Sequence, residues 1–77
     1  MNGIVVRSVI VSIVIRDEIT IQYKGKSYSC LYEVTDKGVV SVSDPEMGTK
    51  RSRLGDHSPD DTATLLLTEL VVDFVDH

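Results

Sequence analysis

The sequence predicts an α+β domain: a small antiparallel sheet of three to four strands packed against one C-terminal helix, in β-β-β-β-α order with the first strand left open. Three observations predict it. Apolar residues alternate with polar ones from Ile19 to Ser43, as a half-buried strand requires. Short turns built on glycine interrupt that alternation. A capped stretch with apolar residues at three- and four-residue spacing then closes the chain.

At 77 residues the chain has room for one domain over 1–77 and one core. Its segments read as an apolar N-terminal strand or extension over 1–17, a β-meander over 18–44, a basic loop over 45–57 and a helix over 58–76. Domains of this size bury only about 60% of their unfolded surface and lean on disulfides, metals or partner subunits. A lone cysteine, Cys30, rules out an intrachain disulfide. Self-association is the expected support.

Residues 4–15 are mostly Val and Ile, whose branched Cβ suits a pleated strand. Alternation puts Ile4, Val6, Ile10 and Val14 on one face and Val5, Val9, Val11, Ile13 and Ile15 on the other, so neither face is polar. Such a strand needs cover on both sides. A short helix is the alternative, because periodicity does not separate the two in so apolar a run. The run is broken by Arg7, Ser8 and Ser12 and falls short of the ~20 apolar residues that span a bilayer. It also lacks a secretory cleavage pattern. The expected location is the cytoplasm, with no membrane contact.

Ile19, Ile21 and Tyr23 lead through Lys24-Gly25 into Tyr28, Cys30, Tyr32 and Val34, the pattern of a β-hairpin. Thr35-Asp36-Lys37-Gly38 makes a second turn, Val39 to Ser43 the next strand, and Asp44-Pro45 is read as the end of the sheet. A brief edge strand is conceivable at 49–54. Ser58-Pro59-Asp60-Asp61 starts the helix, with a hydroxyl N-cap, proline in the first turn and two acids at the positive end of the dipole. Ala63, Leu66, Leu67, Leu70, Val71 and Phe74 form its apolar stripe. Leu65, Val72 and Val75 widen that stripe beyond what one sheet face needs. Asp73 and Asp76 oppose the dipole at the other end, so cations such as Lys50, Arg51 or Arg53 are expected beside them.

The hairpin Tyr23-Lys24-Gly25-Lys26-Ser27-Tyr28, the Gly-x-Lys-x-x-x-Leu-Gly stretch from Gly48 to Gly55, and Leu65-Leu66-Leu67-Thr68-Glu69-Leu70 together resemble a group of small uncharacterised bacterial proteins. The resemblance covers roughly residues 18–72. It implies a three-stranded sheet followed by a helix and no established activity, with residues 4–15 outside the shared part.

The charge is uneven. Residues 1–55 hold all eight Lys and Arg against six acids, whereas 56–77 hold six acids and no Lys or Arg. Lys50, Arg51 and Arg53, with Thr49 and Ser52, are the candidate partner-binding residues, suited to gripping phosphates. The same cations could instead pair with the acidic helix, and Asp56, Asp60 and Asp61 would repel phosphate there. Tyr23, Tyr28 and Tyr32 could stack bases, but Tyr28 and Tyr32 share phase with Cys30 and Val34, which reads as a core face. Cys30 has no base or helix N-terminus nearby in sequence to make it a nucleophile. His57 beside Asp56, Asp60 and Asp61 lacks the ligand spacing of a metal site. No phosphate-binding glycine loop, nucleophile elbow or carboxylate pair occurs.

The expected function is a non-enzymatic interaction module without metal or cofactor, working as a homodimer or an accessory subunit. Val5, Val9, Val11, Ile13, Leu65 and Val72 are the candidate self-association residues. The alternatives are a nucleic-acid-binding module using residues 48–55 and a decoy that presents the acidic tail in place of nucleic acid.

Overall fold

The computed structural model describes residues 12–76. Four strands, β1 (Ile13–Tyr23), β2 (Lys26–Thr35), β3 (Val39–Asp44) and β4 (Gly48–Arg53), precede one helix, α1 (Pro59–Val75). The strands form one antiparallel meander in the order β1-β2-β3-β4. The fold class is therefore α+β, as the alternation and the capping signal predict.

Turn chemistry sets the register. Tyr23 pairs with Lys26 across a two-residue turn in which Lys24 and Gly25 have φ of 51° and 80°, the type I′ geometry that matches strand twist. A lysine rarely occupies the left-handed region. Here its ammonium reaches Asp76 at the end of α1, 2.7 Å away. In the second turn Gly38 has φ of 78° and donates to the Thr35 carbonyl, while Thr35 Oγ1 accepts from the backbone of Lys37 and Val39.

The boundaries differ from the sequence reading in three places. Residues 13–17 do not belong to a separate N-terminal strand; they run without a break into the hairpin strand, with a β-bulge between Ile13 and Ile15. Asp44-Pro45 ends β3 but not the sheet, because Asp44 Oδ1 accepts the backbone N–H groups of Glu46 and Met47 and turns the chain back into β4. The expected basic loop over 45–57 therefore contains a full edge strand. Val5, Val9, Val11 and the rest of the apolar segment up to residue 11 lie outside the described residues.

The core is one layer between the sheet and α1. Tyr32, Val34, Val40 and Val42 from the sheet meet Ala63, Leu66, Leu67, Leu70 and Val71 from the helix, with Cys30 at the margin. Ile19, Ile21, Tyr23 and Tyr28 pack around it half-buried. Phe74, placed by its spacing in the stripe, is instead 50% exposed, because the core side of the stripe ends at Val71. Ser58 caps the helix as expected, its Oγ accepting from the Asp61 N–H at 3.2 Å.

Leu67 is fully buried at the centre of this layer. Leu67→Ala should cost about 3 kcal/mol through lost transfer energy and the cavity left behind, read as a lowered midpoint in urea unfolding. Phe74→Ala, on the exposed side, should change the midpoint far less.

Candidate functional site

Period-two geometry divides the basic residues of β4 between two surfaces. Lys50 and Ser52 pair with Val42 and Val40 and share their helix-facing side, whereas Thr49, Arg51 and Arg53 face the opposite, uncovered side. Lys50 lies between Glu69 and Asp73, one helical turn apart, at 3.6 and 3.5 Å. It joins the edge strand to the helix. Arg51 and Arg53 make no ion pair among the described residues. The three cations are thus not one cluster.

Most of the acids from 56 to 76 are engaged within the chain. Tyr32 donates to Asp60 Oδ1 at 2.5 Å. Asp76 accepts from Tyr23 and pairs with Lys24. The hydrogen bond from Lys24, then that from Tyr23, holds the Asp76 carboxyl below the usual carboxylate range. The cation expected beside Asp73 is Lys50, as the sequence suggests; the one beside Asp76 is Lys24.

Among the described residues no aromatic side chain lies on the open face of the sheet. Tyr32 is buried and Tyr23 and Tyr28 pack on the helix side, as their phase implies. The open face carries hydroxyl pairs, Thr20 with Ser29 at 2.8 Å and Ser43 with Thr49 at 3.0 Å. It also carries the Arg16–Glu33 pair at 2.7 Å and an exposed Leu31. Cys30 donates its thiol to the Ser43 carbonyl, and burial, then the Asp44 charge, pushes its pKa up, away from thiolate chemistry. Among the described residues no group of three His, Cys, Asp or Glu side chains could hold a metal ion. No helix among them is long and apolar enough to cross a membrane.

The two sheet edges are unlike each other. Across the two-residue turn Tyr23 and Lys26 form a hydrogen-bonded pair, so Arg16, Glu18, Thr20 and Gln22 point their backbone groups outward from β1. There the Glu18 N–H is taken by Asp17 Oδ1 at 2.7 Å, and charges at 16–18 and the bulge further blunt the edge. On β4, the Leu54 N–H bonds the Gly38 carbonyl at 2.8 Å, which directs Ser52 and Lys50 inward and Thr49, Arg51 and Arg53 outward. Apart from a 3.3 Å contact of Ser52 Oγ with the Arg53 carbonyl, these outward groups have no partner among the described residues.

Beside the β4 edge lies a groove of about 230 Å³ lined by Ser52, Arg53, His57, Asp61, Thr62 and Leu65. Leu65 is 58% exposed, whereas Thr62 is 6% exposed and its Oγ1 has no hydrogen-bond partner among the described residues. A buried hydroxyl in that state costs about 1–3 kcal/mol. Sequence reading singled out Leu65 and the β4 cations but missed Thr62, since nothing local marks a hydroxyl in the first helical turn as orphaned.

Of the self-association residues that are described, Ile13 is exposed on β1, Leu65 is exposed beside β4 and Val72 is half-buried. The structure does not bring them together, because β1 and β4 are opposite edges. Compared with known proteins, the chain matches no family model, no curated protein and no solved structure.

The Asp60 hydrogen bond, then burial, pushes the Tyr32 hydroxyl up to about 12 from an ordinary 10.0. A raised folded-state pKa means that the stability it contributes is fully present below pH 10 and lost as pH rises toward 12. Tyr32→Phe should therefore cost about 1 kcal/mol at neutral pH. The difference between wild type and variant in urea unfolding should vanish over that alkaline window.

Proposed function

We propose that this chain is a non-enzymatic protein-interaction module that self-associates. One observation carries the reading: three consecutive apolar residues, Ile13, Val14 and Ile15, stand 44%, 59% and 37% exposed on an edge strand. The sequence continues from them into the apolar run 4–11. Isolated exposed apolar residues are ordinary on a protein surface, but three exposed in a row at a sheet edge, whichever face each takes, point to a contact site. The physical reason for the exposure is the path of α1. The helix begins beside β4 and ends at the β1–β2 turn, so the first residues of β1 lie away from it. A reducing cytoplasmic setting suits the free, buried Cys30.

Two alternatives draw less support from the geometry. Nucleic-acid binding has in its favour the unpaired Arg51 and Arg53, but Lys50 is turned to the helix and the open face lacks stacking rings. A decoy of nucleic acid needs a free row of carboxylates, whereas Asp60, Glu69, Asp73 and Asp76 are held within the chain.

Sedimentation equilibrium from low to high micromolar concentration should show a monomer–dimer equilibrium. Replacing Ile13 and Ile15 together by Asp should weaken it at least about tenfold with an unchanged circular dichroism spectrum, since neither residue is in the core. A monomer throughout the concentration range defeats the proposal.

A further inference from the structure

We propose that residues 4–11 of one copy add as a fifth strand to the outer edge of β4 in a second copy, with Arg7 seated beside Asp61. This rests on the self-association reading and names its interface.

The acceptor is defined by what β4 leaves open. Thr49 and Arg51 offer outward N–H and C=O groups, and strand addition satisfies such groups with main-chain bonds while side-chain pockets set specificity. On β1 the Glu18 N–H is already taken by Asp17, and the charges of Arg16, Asp17 and Glu18 with the bulge discourage pairing there. The groove lies between the β4 edge and the first turns of α1, where alternate side chains of an added strand would point.

The donor follows from pattern and charge. Residues 4–11 are Val and Ile apart from Arg7 and Ser8, and Arg7 is their one charge. Turning Arg7 toward the open face would set it beside Arg51, with no acid on β4 to answer it. Turning it toward the helix sets it in the groove that Asp61 lines together with Arg53 and His57, and Asp61 has no ion pair among the described residues. That phase places Val5 and Val9 on the same side, against exposed Leu65 and the stem of Lys50.

Reach favours a second copy as the source. The described part of the chain begins at Ser12, whose carbonyl accepts from the Asp36 N–H just beyond the end of β2, and β4 is three strands from β1. Crossing roughly 14 Å at about 3.3 Å per residue uses at least about four residues, leaving the chain's own β4 little more than Ile4 to Arg7. In a reciprocal exchange each copy donates one strand and accepts one, which closes as a two-fold dimer.

The test is a charge-reversal cycle in the full chain, read by sedimentation equilibrium with circular dichroism as the folding control. Arg7→Glu and Asp61→Arg should each weaken the dimer about tenfold, and the double variant should restore most of the loss, as a merely structural role for either residue would not. Val9→Pro, which removes a donor from the added strand, should weaken the dimer further and settles the matter if Asp61→Arg fails to fold. A wild-type dimer indifferent to Arg7→Glu and Val9→Pro overturns this interface while leaving self-association intact. A wild-type monomer overturns both.

Discussion

Leu67, Leu66 and Val71 of the helix pressed onto Val40, Val42 and Tyr32 of the sheet form the contact on which the rest of the structure depends. Each side chain so buried contributes about 1.5–3 kcal/mol, and within the described residues nothing else joins helix to sheet over a comparable area. The polar contacts fasten the margins of this layer. Tyr32 reaches Asp60 in the first helical turn, Lys50 reaches Glu69 and Asp73 along its length, and Lys24 with Tyr23 reaches Asp76 at its end. The exposed ion pairs among them add little stability; their position orients the helix and answers the acids at its unfavourable end.

One helix covers one face, and that constraint leaves two kinds of surface. The open side of the sheet is hydroxyl-rich and charged, so it tolerates water. The start of β1 and the groove beside β4 are different. There, exposed Ile13, Val14, Ile15 and Leu65 meet strand edges, and a 77-residue chain has no further element among its described residues to cover them. A second copy would supply cover to both places at once, which gives the opposite edges complementary roles. Arg16, Asp17 and Glu18, with the bulge, guard one edge against random pairing, while β4 keeps its outward amides available.

Much of the fold was legible from short-range chemistry. Lys24-Gly25 and Thr35 to Gly38 announce turns because few residues accept a positive φ, and Ser58-Pro59-Asp60-Asp61 announces a helix because orphaned N–H groups need acceptors there. The strand at 48–53 was harder to read. Its residues are Gly, Thr, Lys, Arg, Ser and Arg, without apolar alternation, because an edge strand with one open face and a salt-linked Lys50 on the other has little to bury. Likewise Phe74 fits the helical stripe by spacing, yet it stands 50% exposed, which no local pattern reveals.

By itself the sequence determined the fold class, the first two turns, the helix start and most of the helix side of the core, since each follows from the conformational limits and periodicity of neighbouring side chains. Tertiary structure alone decided that Lys50 and Arg51 belong to different surfaces, that Lys24 and not the basic stretch answers Asp76, that Asp17 takes one outward N–H of the β1 edge, and that the Thr62 hydroxyl is buried beside a groove without a partner among the described residues. Those facts depend on which elements meet across long stretches of chain, and no local pattern carries that information.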